Sequence, residues 1–265
     1  MTVSWSAYRR ARRRSRQAWA VLAVVAASAL GALTWFFTAG QFAIAEPTAS
    51  GPTDAPVFDP GWMKPVVPVH QVPSGTALSA LDGLAVKGRA AKDNYSREAF
   101  GQAWQDVDRN GCDTRNDILR RDLADVMFTE GSQCRVAAGT FHEPYTGEFV
   151  DFRRGSESSR AVQIDHVVAL GDAWQKGAQV LTAGERQRLA NDPLNLIAAD
   201  GPANQQKSAG DAATWLPGNK SIRCHYVARQ ISVKAAYGLW VTEPEKDAMK
   251  RVLGSCPDQQ TISAN

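Results

Sequence analysis

The sequence predicts an α+β fold, on three observations. Two helices with capping signals lie far apart in the chain, a strand-rich stretch lies between them, and four cysteines flank the helices. The first helix is "RNDILRRDLADVMF", where Thr114 and Asp117 form a capping-box-like start. Its apolar stripe is Ile118, Leu119, Leu123, Val126 and Met127. Strands come next. "GTFHEPYTGEFVDF" places a Pro-Tyr-Thr-Gly turn between two short extended pieces, and "AVQIDHVVAL" follows. "PLNLIAADGPANQQKS" then reads as an apolar strand, an Asp-Gly-Pro turn and a helix opening near Ala203. A further helix is expected over about 222–237. The last helix, "EPEKDAMKRVL", has Thr242 and Glu245 as its capping box and Gly254 at its end.

Charge and hydropathy divide the chain unevenly. The formal net charge is +3, yet Arg9, Arg10, Arg12, Arg13, Arg14 and Arg16 precede an uncharged apolar run that ends near Ala45. Removing these six from 30 Lys+Arg leaves 24 against 27 Asp+Glu, about −3 for residues 46–265. Bulk charge is therefore no argument for nucleic-acid binding. The run is long enough to span a bilayer, and arginines on its N-terminal side direct the rest of the chain outward. Ala43-Ile44-Ala45 has the form of a signal-peptidase site, while the apolar length also suits an uncleaved anchor. Residues 1–45 are thus a signal peptide or a transmembrane signal anchor. The domain is expected to be secreted or tethered to the outer face of the cytoplasmic membrane. Residues 46–75 are a Pro-rich extended linker, 76–257 one globular domain, and 258–265 a disordered tail.

Export makes the cysteines readable. Cys112, Cys134, Cys224 and Cys256 are an even set in an oxidising compartment, and no Cys-x-x-Cys pair suggests zinc. Three pairings are open to four cysteines. Cys224 with Cys256 is favoured, because antiparallel packing of the last two helices would bring them together, and Cys112 is expected with Cys134.

The chemistry concentrates in "VQIDHVVAL" and the segment after it. Asp165 and His166 stand inside an apolar run, where an unpaired charge is costly. Adjacent strand residues face opposite ways, so both serve one site only if the strand ends or bends there. Asn195 is placed in the second strand, and Asn204 and Lys207 share a helix face. A carboxylate, an imidazole, two amides and an amine suit a hydrolytic site with oxygen ligands for a hard cation and a histidine base.

These residues resemble the His-Asn-His (HNH) endonucleases of the ββα-metal fold. From about Tyr95 to Cys256 the chain is similar to exported HNH endonuclease-family proteins related to the C-terminal domain of GmrSD-type restriction enzymes. The resemblance rests on Asp-His in one strand, Asn-Leu in the next and Asn-x-x-Lys on the helix. It implies a ββα-metal core with surrounding helices, and an endonuclease that hydrolyses phosphodiester bonds in DNA, with RNA as the open alternative. By the same resemblance, Asp165 and Asn204 would hold one Mg²⁺ or Mn²⁺, and His166 would be the general base. Asn195 would orient His166, and Lys207 would contact phosphate. The final histidine of the family name is Asn204 here, and the zinc knuckles of some HNH proteins are absent. A monomer is expected. The competing reading is a cell-envelope binding protein on an inactivated nuclease scaffold.

Other groups carry weaker signals. Arg153, Arg154 and Arg160 precede the Asp-His strand and offer phosphate contacts, with a solvated charged face as the equal alternative. His142 lies near the hairpin. Trp104, Trp174, Trp215 and Trp240 are read as core aromatics, with base stacking by an unassigned one of them as the lesser alternative. "DVDRNGCDTRND" imitates a Ca²⁺ loop, with Asp106, Asp108, Asn110 and Asp117 at ligand positions, although it also reads as an Asn-Gly turn before a helix.

Overall fold

The computed structural model describes residues 72–155 and 158–263, all within one compact unit of the chain. The expected leader or anchor and most of the linker lie outside the described residues. Among the described residues no helix is long and apolar enough to cross a membrane.

Helix α1, Ala77–Gly83, opens at Thr76, whose hydroxyl accepts from the Ser79 amide at 3.3 Å. An irregular segment then leads to α2, Thr114–Asp122. Its cap is Asp113 and not Thr114: the Asp113 carboxylate accepts from the Asn116 amide at 2.9 Å, while the Thr114 hydroxyl donates to the Gln105 carbonyl. The helix is also shorter than predicted. Residues 124–128, expected as its last turns, form strand β1, Ala124–Phe128. Asp125 adopts φ 51°, and the register with the next strand is bulged, which re-aims the chain out of the helical path. Val126 and Met127 therefore join no helical stripe, and Met127 is 57% exposed.

Strands β2, Val136–His142, and β3, Phe149–Arg153, complete an antiparallel three-stranded sheet in the order β1-β2-β3. Their connecting turn is organised by buried Glu143. Its carboxylate accepts from the amides of Tyr145 and Thr146, and also from Asp200 at 2.9 Å. That last bond ties the hairpin to a second sheet. The short helix α3, Ser158–Ala161, precedes β4, Val162–His166, which pairs antiparallel with β5, Leu196–Asp200. Between β4 and β5 run α4, Leu170–Gln175, and α5, Ala183–Asn191, the latter with a Thr182/Glu185 capping box. Helix α6, Gly201–Lys207, follows β5 without an intervening turn and starts earlier than the expected Ala203, because Asp200 caps it by accepting from the Ala203 amide at 2.8 Å. A side chain at position 201 would meet the Arg160 carbonyl oxygen at 2.1 Å, so this close junction requires glycine.

Helices α7, Arg223–Ala236, and α8, Glu243–Leu253, match expectation, including the Thr242/Glu245 capping box and Gly254 as C-cap. Both predicted disulfides, Cys112–Cys134 and Cys224–Cys256, are formed. The chain beyond Cys256 is not a loose tail as far as it is described. The Ala77 amide donates to Gln259, Thr261 to Gly75, and Ile262 to the Ser232 hydroxyl at 2.8 Å.

The apolar core has three parts. One joins α1, α7 and α8, another lies under α4 and α5, and a third packs Ile118 and Leu119 of α2 between the two sheets. A buried ion cluster braces the first two. Lys176 lies 2.7 Å from Asp172, 2.7 Å from Asp211 and 2.6 Å from Glu245, and Lys234 and Arg89 complete the charge balance.

Candidate active site

Strand β4 delivers Asp165 and His166 to one place because it ends at His166. Within the strand, Val162 and Ile164 enter the core facing α2. Asp165, 6% exposed, meets two partners from other elements: the Tyr145 hydroxyl donates to Oδ2 at 2.6 Å, and the Lys207 ammonium lies 3.0 Å from each carboxylate oxygen. Lys207 also donates to the His166 carbonyl at 2.7 Å. Burial, with the Asp165 charge adding, pushes the Tyr145 phenol well above its ordinary range, so it remains a donor.

His166 points the other way, toward α5. Its Nε2 lies 2.8 Å from the Ala190 carbonyl oxygen. A carbonyl only accepts, so Nε2 carries the proton and Nδ1 is left as the acceptor of the neutral ring. Burial lowers the imidazole pKa to about 4, against the Ala190 bond and the Asp165 charge, while Lys207 and Arg97 lower it further. Asn195 is fully buried just before β5, not within it. It clamps the turn after β4 to α5: Oδ1 accepts from the Val168 amide at 2.9 Å, and Nδ2 donates to the carbonyls of Val168 and Leu189.

A cavity of about 460 Å³ brings Asp165, His166 and Asn204 together with Gln163, Lys92, Tyr95 and Arg97. A second, about 270 Å³, shares His166, Arg97 and Leu170 with it and is otherwise walled mainly by Phe100, Trp104 and Ala190. The Trp104 ring lies nearly parallel to the imidazole, 17° between planes and 6.5 Å between centroids.

The donors in the larger cavity fit a small hard cation. Asp165 offers a carboxylate that also carries its Tyr145 and Lys207 bonds. Asn204 donates through Nδ2 to Gln163 at 2.9 Å, which leaves its Oδ1 free to accept. A carboxylate and an amide oxygen, completed by water and substrate phosphate, are a donor set that Mg²⁺ or Mn²⁺ accepts. No group of three or more His, Cys, Asp or Glu side chains among the described residues could hold a metal by itself.

Several sequence-predicted residues stand elsewhere. Lys207 is 2% exposed and spent on Asp165 and His166, so it is not a surface amine reaching for phosphate. Arg154 is bonded to the Val136 carbonyl and the Asn116 side chain, and neither Arg153, Arg154 nor Arg160 lines either cavity. His142 stacks on Phe149 at the sheet, away from the site. In the Ca²⁺-like loop, Asp106 accepts from the amides of Asn110 and Gly111, and the Asn110 side chain bridges Asp108 and Asp117. These bonds make it a turn into α2 rather than a set of open ligands. Conversely, nothing in the sequence marks Lys92, Arg97, Gln163 or Tyr145 as part of a site. Trp104, read as a core aromatic, has one face at the site.

The family model for GmrSD restriction endonucleases, C-terminal domain, matches residues 113–252, more than half of the chain. The chain belongs to the GmrSD C-terminal domain family. Membership gives it a nuclease-type domain. It is also 38% identical over 195 residues to an uncharacterized secreted protein of Arthroderma benhamiae, covering 72% of this chain and 91% of that protein. No solved structure gives a significant match. Within this GmrSD C-terminal domain, the β4-β5-α6 unit holds all of Asp165, His166, Asn204 and Lys207.

Proposed function

We propose that this protein is an exported, monomeric endonuclease, dependent on a divalent metal, that hydrolyses phosphodiester bonds in nucleic acid. The observation that carries the reading is the state of His166. It is a buried, neutral imidazole whose Nε2 is committed to a backbone carbonyl, and it lines the same cavity as the Asp165 and Asn204 oxygens.

In this reading Nδ1 of His166 takes a proton from the attacking water. Its low pKa in the free protein keeps it in the accepting form at neutral pH. An incoming phosphate, being negative, raises that pKa and stabilises the imidazolium that forms. Asn195 holds the Val168 turn and the Leu189 carbonyl in fixed relation, and so holds the ring's angle to α5. Tyr145 and Lys207 keep the Asp165 carboxylate in one rotamer. Asp165 and Asn204 would hold Mg²⁺ or Mn²⁺, which when bound supplies Lewis-acid neutralisation of charge at the phosphate. A binding scaffold would have no chemical need for this whole set. The leader supports export, as does the secreted relative.

Hydrolysis of fluorogenic DNA and RNA, with Mg²⁺ or Mn²⁺ against EDTA, tests the reading. Metal-dependent cleavage that falls at least a hundredfold in Asp165→Asn supports it. Cleavage indifferent to EDTA and to that substitution sinks it.

A further inference from the structure

The smaller cavity is built by a part of the chain outside the stretch that the family model matches. Residues 92–104 precede 113–252, yet they supply Arg97, Glu98, Phe100, Gly101, Gln102, Ala103 and Trp104 to its wall. They also supply Lys92, Tyr95 and Arg97 to the larger one. Arg97 stands where the two cavities meet. It is exposed, and its guanidinium makes no hydrogen bond or salt bridge among the described residues. Trp104 has φ 58°, a left-handed backbone that a bulky side chain rarely adopts, and its ring lies nearly parallel to that of His166.

We propose that the apolar slot receives one unpaired nucleobase of the strand being cut, stacked on Trp104, while Arg97 holds the adjoining phosphate. The substrate is therefore single-stranded nucleic acid. This deepens the nuclease reading and rests on it.

Three features favour this occupant. A nucleotide joins a base with flat π faces to a charged phosphate, and the structure joins a slot walled mostly by apolar groups to a polar cavity, with Arg97 lining both. Base stacking on an aromatic face is tolerant of sequence, and the slot is lined mostly by apolar groups. Thirdly, His166 is only 8% exposed, at the common wall of both cavities. A base held in a duplex has its faces stacked and its edge paired, and it must be extruded before entering such a slot. An unpaired strand avoids that cost.

The test compares one labelled oligonucleotide as a single strand, as a duplex, and as a single strand with abasic sites around the cut, all with the oxidised protein and Mn²⁺. The expected result is single-strand cleavage at least ten times faster than duplex cleavage, with an abasic strand slowed roughly tenfold to a hundredfold. Trp104→Ala should show the same loss on the normal strand and little further loss on the abasic one, and Trp104→Phe should restore most of the rate. If Trp104→Ala does not fold, the abasic strand carries the test with the wild-type protein. His166-dependent cleavage at equal rates on duplex, single and abasic strands overturns this inference and leaves the nuclease standing. No His166-dependent cleavage of any of them overturns the nuclease reading and the slot with it.

Discussion

The Lys207 ammonium lies 3.0 Å from both oxygens of Asp165 and 2.7 Å from the carbonyl of His166. The amine comes from α6 and its partners from the end of β4, so one side chain joins the helix to the strand at Asp165 and His166. Removing one member of a buried ion pair strands the other charge, which costs about 3–5 kcal/mol. Lys207→Met should therefore lower stability by that order in denaturant unfolding without substrate. A lysine serving only as a phosphate contact would leave unfolding unchanged and raise KM instead.

Asn195 gives a second, separable effect. Alanine there would leave the Val168 amide and the Leu189 carbonyl without their partner in a fully buried place. Each unsatisfied group costs roughly 1–3 kcal/mol. Because the clamp sets the imidazole against α5, kcat should fall more than tenfold for the folded fraction while KM moves little. Circular dichroism melts and steady-state kinetics read the two effects apart.

Acid should weaken the fold in a defined window. The ordinary imidazole pKa is 6.5, and in the folded chain burial holds His166 at about 4. As pH falls below 6.5 the unfolded chain binds a proton that the folded chain refuses. Stability is therefore complete above pH 6.5 and is lost progressively down to about pH 4, by roughly 3 kcal/mol. His225, also lowered by burial, acts in the same direction. Thermal melts at pH 7.5, 5.5 and 4.5 should show the decline, and His166→Gln should flatten much of it. An undiminished slope in that variant would contradict the assignment.

The disulfides close segments of 22 and 32 residues in sequence separation. Constraining loops of that size in the unfolded chain stabilises by about 3 kcal/mol each. Replacing either pair by serine should lower the melting temperature, and replacing both should leave little folded protein at 37 °C. Cys112–Cys134 also ties the start of α2 to the β1–β2 turn, so its loss should increase hydrogen exchange in β1 and β2 first.

The legible parts of the chain are those whose signals are local. Thr242 and Glu245 announce α8, and the apolar runs of 162–166 and 196–200, with a helix following, announce the unit that carries Asp165, His166 and Asn204. Strand β1 was not legible, because Val126 and Met127 fit a helical stripe as well as a strand. The decision comes from pairing with β2 and from the backbone at Asp125. The far wall of the site was hidden for the same reason. Residues 92–104 have no periodic pattern and are placed by distant contacts, such as Trp174 Nε1 to the Asp93 carbonyl at 3.3 Å and Arg186 to Ala99 at 2.7 Å. The burial of Lys207 likewise depends on Tyr145 and Asp165 meeting across two sheets. A solvent-facing lysine and a buried one have the same sequence signature.

In the proposed reading, a neutral His166 beside Asp165 and Asn204 makes this domain a metal-dependent nuclease. Cleavage of a circular single-stranded DNA, with supercoiled plasmid beside it, by the oxidised protein measures it, with Mg²⁺ or Mn²⁺ against EDTA and with His166→Ala as the comparison. Cleavage that requires the metal and falls at least a hundredfold in the variant is the predicted result. Equal cleavage by a folded His166→Ala protein, or cleavage of neither DNA by a folded wild type, would contradict it.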